Sequence, residues 1–260
     1  MKNNRDHSFR FLIAIAGVVA TFILSAGCKK DKKENNTTVI TASGDITSKV
    51  NEFRQVLGAQ LNTTTGAIGG RREINWDGVP ADLLNKPLAG NFFNTPGAAI
   101  PSSRQRGLTY SSAAGSFQVS NDGFQSTNAS TASEFSAFSG SQTFANINSN
   151  LWKVDFQVPG EEISATVKGF GIVFSDVDVP NSTFVEFFNG SKSVGKFFAP
   201  VHDATSNLSF VGAYFPDEKI THVIVGHDGT LAEGGADISN GGKKDFVVFD
   251  DFLFNEPVKQ

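Results

Sequence analysis

Four carboxylates stand where this chain would hold a hard cation. Asp176 and Asp178 close the apolar run Gly169-Phe-Gly-Ile-Val-Phe-Ser175, and Asp250 and Asp251 interrupt the run Phe246–Phe254. Adjacent residues of a strand point to opposite faces, so at least one of Asp250 and Asp251 must face inward. A buried carboxylate left unpaired costs several kcal/mol. A structural calcium ion held by Asp176, Asp178 and Asp250 or Asp251, completed by backbone carbonyls, meets the oxygen-only requirement of that cation. The competing arrangement forks Arg71 or Arg72 onto Asp250 or Asp251 and leaves Asp176 and Asp178 to shape a turn before Pro180, which is the commoner use of Asp at strand ends. Asp228-Gly229 and Asp237 offer further oxygens, and EF-hand spacing is absent.

The histidines beyond the first ten residues are His202, His222 and His227. His222, between Ile220 and Ile224, fits a packed strand face. His202-Asp203 and His227-Asp228 sit at strand ends where they would be free to move protons, although adjacency in sequence is a weak basis for a triad. The chain has no Gly-x-Ser-x-Gly elbow, no His-Glu-x-x-His helix and no phosphate loop. Ser193-Val-Gly-Lys196 falls in a strand instead of at a helix start. Glu161-Glu162 sits in a turn, unlike the acids that alternate along one strand in jelly-roll glycosidases. These features describe a non-enzyme.

A binding role has other ingredients. Trp76 beside Asn75 and Asp77, and Trp152 near Asn148 and Asn150, combine an aromatic face with amide and carboxylate groups, as a sugar platform requires. Tryptophan in a β-sandwich is nonetheless more often core.

The elements that must position these residues begin after an export signal. Lys2, Arg5 and Arg10 precede the apolar run Phe11–Leu24, and Ser25-Ala26-Gly27-Cys28 follows. A basic head, an apolar middle and small residues before a cut describe a secretory signal. That run is short for the roughly 20 residues of a membrane-spanning helix. The lone cysteine at the cut makes the segment similar to a bacterial lipobox, with Cys28 the lipidated first mature residue and Ser25 standing where Leu is commonest. Lys29 follows in place of the Asp that retains enteric lipoproteins at the inner membrane, so the outer membrane is the expected address. With Cys28 lipidated, no thiol remains for a disulfide, a zinc site or a nucleophile.

Lys29–Asn36 forms a charged tether facing anionic head groups, and residues 28–45 as a whole are expected to be a polar spacer. Residues 37–260 carry 15 Lys and Arg against 23 Asp and Glu, a net charge of −8, which disfavours nucleic acid as a partner.

Ile46, Val50, Phe53 and Leu57 follow Asp45 at helical spacing and end at Gly58, predicting a capped amphipathic helix over Ile46–Leu57. Arg72, Ile74 and Trp76 alternate with Arg71, Glu73, Asn75 and Asp77, predicting a short strand with a turn at Asp77-Gly78. Polar loops with short strands occupy 97–150. From Trp152 onward, runs rich in Val, Ile and Phe alternate with Gly, Asn, Asp and Pro breaks, and 13 of the 25 phenylalanines lie between 163 and 254. Gly169-Phe-Gly171 predicts a bend, and Asn189-Gly190-Ser191-Lys192 a hairpin turn. The expectation is an all-β, jelly-roll-like β-sandwich over about 70–257 with the helix docked on it.

Gly70-Arg-Arg-Glu-Ile-Asn-Trp-Asp-Gly-Val-Pro80 resembles the signature of a family of exported bacterial envelope proteins of unassigned activity. Phe53-Arg54, Leu57-Gly58, Asn91-Phe-Phe-Asn94, Gly169–Asp178, Ser209-Phe-Val-Gly212 and Asp250-Asp-Phe-Leu-Phe-Asn-Glu-Pro257 extend the resemblance over about 50–257. It implies a jelly-roll region of carbohydrate-binding type in the second half. The resemblance leaves activity open; the long tether, the acidic polar surface with long Ser, Asn and Thr loops and the missing nucleophile or metal triad carry the functional expectation, a lipid-anchored, non-catalytic binding module with a glycan as the candidate ligand, a structural envelope component as the alternative and a hydrolase third.

Overall fold

β-branched and aromatic residues in period-two runs fold into 14 strands among residues 36–260, the residues described in a computed structural model of the protein. Phe11–Leu24 and Cys28, with the export and lipidation expectations that rest on them, lie outside those residues. Among the described residues no helix is long and apolar enough to cross a membrane.

In chain order the elements are β1 (Thr38–Ser43), α1 (Thr47–Leu57), β2 (Arg71–Ile74), β3 (Leu108–Ser111), β4 (Phe117–Ser120), β5 (Thr143–Asn146), β6 (Leu151–Phe156), β7 (Ala165–Thr166), β8 (Gly169–Ser175), β9 (Phe184–Asn189), β10 (Lys192–Phe198), β11 (Leu208–Tyr214), β12 (His222–Gly226), β13 (Val248–Asn255) and β14 (Val258–Lys259). One antiparallel sheet has the order β1-β11-β8-β13-β5-β4, with β2 also paired to β13; a second has the order β10-β9-β12-β6-β3, and β7 pairs with β14 in a small third sheet. The chain is thus an all-β sandwich carrying one helix.

Between the sheets lies an aromatic core. Trp76 stacks on Phe144 at 3.8 Å and 7°, while Trp152 meets Phe249 edge-on at 5.1 Å. Such pairs add about 0.5–1.5 kcal/mol each beyond area burial.

Helix α1 covers the outer face of the first sheet. Val50, Phe53 and Leu57 are buried along one side, and they join Val173, Phe210 and Leu253 in a second cluster. The helix matches the expected span within a residue, but its N-cap position is Ile46. Asp45 still serves the first turn, its Oδ1 accepting from the Thr47 N–H at 3.1 Å.

β8 is buried along its whole length because both faces are covered. Phe170, Ile172 and Phe174 enter the central core, and Val173 faces the helix. The bend expected at Gly169-Phe-Gly171 falls just before it, at Lys168, where the chain passes from β7 into β8; β8 itself pairs with β11 without a register shift from Gly169 to Ser175. Gly171 and Gly212 instead make room for the helix: a Cβ at either would come within 2.9 Å of the Phe53 ring.

The polar spacer ends earlier than expected, because Thr38–Ser43 forms an edge strand whose six residues pair with Tyr214–Ser209. At an edge of the other large sheet, β10 exposes Lys192 and Ser193 and carries a bulge between Ser193 and Gly195, and Lys196 Nζ lies 3.4 Å from the Phe184 ring centre. The expected hairpin joins β9 and β10 through Gly190-Ser191, with Gly190 at φ +59°.

Register fixes a polarity. Thr38 pairs with Tyr214 and Tyr214 with Gly169, so the described chain enters the sandwich at the Gly169 end. Ser43 pairs with Ser209 and Leu208 with Ser175, so β1 runs to the opposite end, where Asp176 follows.

Candidate metal centre

Asp176 and Asp178 leave the far end of β8 and meet residues from two other connections. Asp237 and Asp245 come from the segment between β12 and β13, and Glu134 from that between β4 and β5. Oxygens of Glu134, Asp176 and Asp237 lie within 4.8 Å of one another, as do those of Asp178, Asp237 and Asp245. Asp176, Asp178 and His202 form a third such set.

Most of these oxygens are held by donors. Asp245 Oδ1 accepts from the Asp178 N–H at 3.2 Å, and its Oδ2 from the Val179 N–H and Ser182 Oγ at 3.1 and 2.8 Å. Asp237 Oδ1 accepts from the Ser239 N–H at 2.9 Å and its Oδ2 from the Phe246 N–H at 2.6 Å. Glu134 accepts from Ser239 Oγ and Asn240 Nδ2. Asp176 differs: it is only 4% exposed, its backbone is left-handed at φ +73°, and its Oδ2 has no hydrogen-bond partner.

The electrostatics follow from crowding. Burial, then the neighbouring Asp178, Asp237, Glu134 and Asp245, push the Asp176 carboxyl up to about 9. Burial and the adjacent Asp237 carboxyl push Asp178 up to about 6, against the pull of His202. Burial also raises Asp245. His202 Nε2 lies 2.8 Å from Asp178 Oδ1 and 3.8 Å from Asp176 Oδ1, while its Nδ1 faces the Asp203 carbonyl oxygen at 3.1 Å. Among the described residues no lysine or arginine pairs with any of the five acids.

Asp250 and Asp251 do not join this cluster, correcting the expectation that they share a cation with Asp176 and Asp178. Asp250 Oδ2 accepts from the Phe138 and Ser139 N–H groups at 2.6 and 3.0 Å, and Asp251 pairs with Arg54 at 3.2 Å and with Ser139 Oγ. Burial and the Asp251 charge push Asp250 up to about 8, and burial raises Asp251 to about 6. Nor do Arg71 and Arg72 fork onto them. Arg71 binds Glu73 at 2.6 Å, whereas Arg72, fully buried, grips both oxygens of Glu256 at 2.7 Å.

The sugar platform is also corrected, because Trp76 is 0% and Trp152 2% exposed and neither ring has a free face. Asn75 is exposed, but Asp77 turns to the Ser141 N–H at 2.9 Å. The histidine–aspartate neighbours do not pair as dyads. The Asp203 carboxylate caps Thr205 at 2.8 Å, and His227 is buried against Phe249 with Nδ1 on the Gly229 carbonyl at 2.8 Å. Burial pushes His227 down to about 4. His222 stacks on Phe188 at 4.8 Å and 4°.

Sequence reasoning missed Glu134 and Asp245 as members of the cluster. Asp245 carried a usable signal, an acid opening the apolar run Phe246–Phe249; Glu134, within a Ser- and Ala-rich stretch, carried none. No family model and no curated protein matches this chain.

Proposed function

We propose that this chain is a lipid-anchored, non-catalytic recognition module of the bacterial envelope, held at the outer membrane through Cys28. In this proposal it offers the loops of its Asp176 end to a glycan or another envelope component. The observation that carries the proposal is the polarity of β1. The chain enters the sandwich at the Gly169 end, and the segments 176–183, 199–207 and 227–247 gather at the other. A module tethered at its entry would present those loops away from the membrane, and loops on a rigid sandwich are where recognition usually resides.

The lipobox-like Ser25-Ala-Gly-Cys28 and the family resemblance of Gly70–Pro80 support the envelope assignment. The test has two arms. Cys28→Ala should release the protein from membranes without detergent. The detergent-solubilised full chain, probed on an array of envelope glycans, should bind in a manner weakened by Asn181→Ala with Lys243→Ala, both exposed at the Asp176 end. Retention of Cys28→Ala in membranes overturns the anchor, and an array without a hit overturns glycan recognition.

Burial of both tryptophans favours a second reading, a structural envelope component, which an array without a hit would install in its place.

A further inference from the structure

We propose that the Asp176 end is a calcium site built from carboxylate oxygens of Glu134, Asp176, Asp178, Asp237 and Asp245, whether or not the same end also recognises a glycan. Calcium takes six to eight oxygens at about 2.3–2.6 Å, so two ligands of one ion stand at most roughly 5 Å apart. Two separate sets meet that limit, Glu134–Asp176–Asp237 and Asp178–Asp237–Asp245, each within 4.8 Å; each fits one ion, and Asp237 belongs to both.

Asp176 is the independent witness. It is 4% exposed and its Oδ2 has no protein partner, although a buried carboxylate oxygen left bare is among the costliest arrangements in a fold. Asp178 Oδ2 is likewise buried and unpartnered. The other three acids keep spare lone pairs after accepting their backbone and side-chain donors. Five carboxylates against one histidine make a strongly negative pocket that a divalent ion would neutralise.

The donor set selects the ion. Zinc prefers four ligands rich in nitrogen and sulfur. The one nitrogen here, His202 Nε2, is engaged with Asp178 Oδ1 at 2.8 Å. Magnesium demands a tight octahedron and keeps its waters, whereas calcium accepts a crowded, irregular oxygen cage. Such an ion would tie together three connections remote in sequence: 121–142, 176–183 and 227–247.

The test uses the detergent-solubilised full chain, stripped with EDTA, with calcium chloride followed by titration calorimetry and thermal melting. The expected result is saturable binding and a melting temperature raised by about 5–10 °C when calcium exceeds Kd a hundredfold. Asp176→Asn should bind at least about tenfold more weakly and lose the rise, yet melt in EDTA no lower than the wild type, because the amide is a neutral isostere of the protonated carboxyl that the ion-free fold holds. Asp178→Asn gives the same readout if Asp176→Asn does not fold. Asp251→Asn, outside the cluster, should leave calcium affinity unchanged. Absence of heat and of any melting shift at millimolar calcium overturns the proposal, as does a shift produced by zinc or magnesium but not by calcium.

Discussion

The ring of Phe53 rests on Gly171: a Cβ at that position would stand 2.6 Å from Phe53 Cε1 and 2.9 Å from Phe210 Cζ. Gly171→Ala must therefore push the helix off the sheet or force Phe53 out of its rotamer. Overpacking of this kind costs about 1–3 kcal/mol, and denaturant melts should show it. Gly190→Ala, in open space at φ +59°, should cost about 1 kcal/mol through backbone conformation alone.

Arg72 and Glu256 form a fork buried from solvent, and Arg72 Nη2 also reaches the Thr64 carbonyl at 2.7 Å. Removing one partner strands the other charge. Arg72→Met or Glu256→Met alone should cost about 3–5 kcal/mol, while the double replacement should cost much less. A double-mutant cycle by urea denaturation measures the difference, and additive costs would refute it.

Stability in EDTA should fall as pH rises from about 6.5 to 9. Asp176, raised to about 9, and Asp250, raised to about 8, hold protons in the folded state that the unfolded chain gives up near the ordinary carboxylate value. The stability they confer is thus complete at low pH and lost through their folded pKa values. His227, lowered to about 4, acts with the opposite sign, losing stability as pH falls from 6.5 towards 4, outside that window. Saturating calcium should remove the Asp176 share of the slope and leave the Asp250 share. Melts at fixed ionic strength across the window check both points.

Trp76 and Trp152 are the protein's only tryptophans. Buried as they are, they should show little quenching of emission by acrylamide in the folded state and full quenching in urea. Any glycan that binds should leave that emission unchanged, and a ligand-dependent shift would mean that the core opens.

The sandwich was legible because burial writes itself into period-two patterns. Phe170, Ile172 and Phe174 alternate with Gly171 and Val173, and the helix shows in Val50, Phe53 and Leu57. β1 escaped because an edge strand buries little, with Ile40 its one fully buried hydrophobic residue. The bend falls at Lys168, one residue before Gly169, and Gly171 has another use: a glycine that admits a neighbouring ring looks the same in sequence as one that breaks a strand. At the site, Asp176, Asp178 and Asp237 could be singled out locally, but their union with Glu134 and Asp245 depends on three long connections meeting in space. The tryptophans misled because an aromatic ring flanked by polar residues has one composition whether it faces water or, like Trp76, stacks on Phe144.

The antiparallel seam between β1 and β11 also sets how the module answers a mechanical load. Its hydrogen bonds lie across the strands, and the chain enters at the Thr38 end while β1 runs the length of the sheet. A pull on the entering chain, opposed by a grip on the loops beyond Ser175, acts along β1. All six residue pairs are then strained together in shear, and none can be unzipped one at a time.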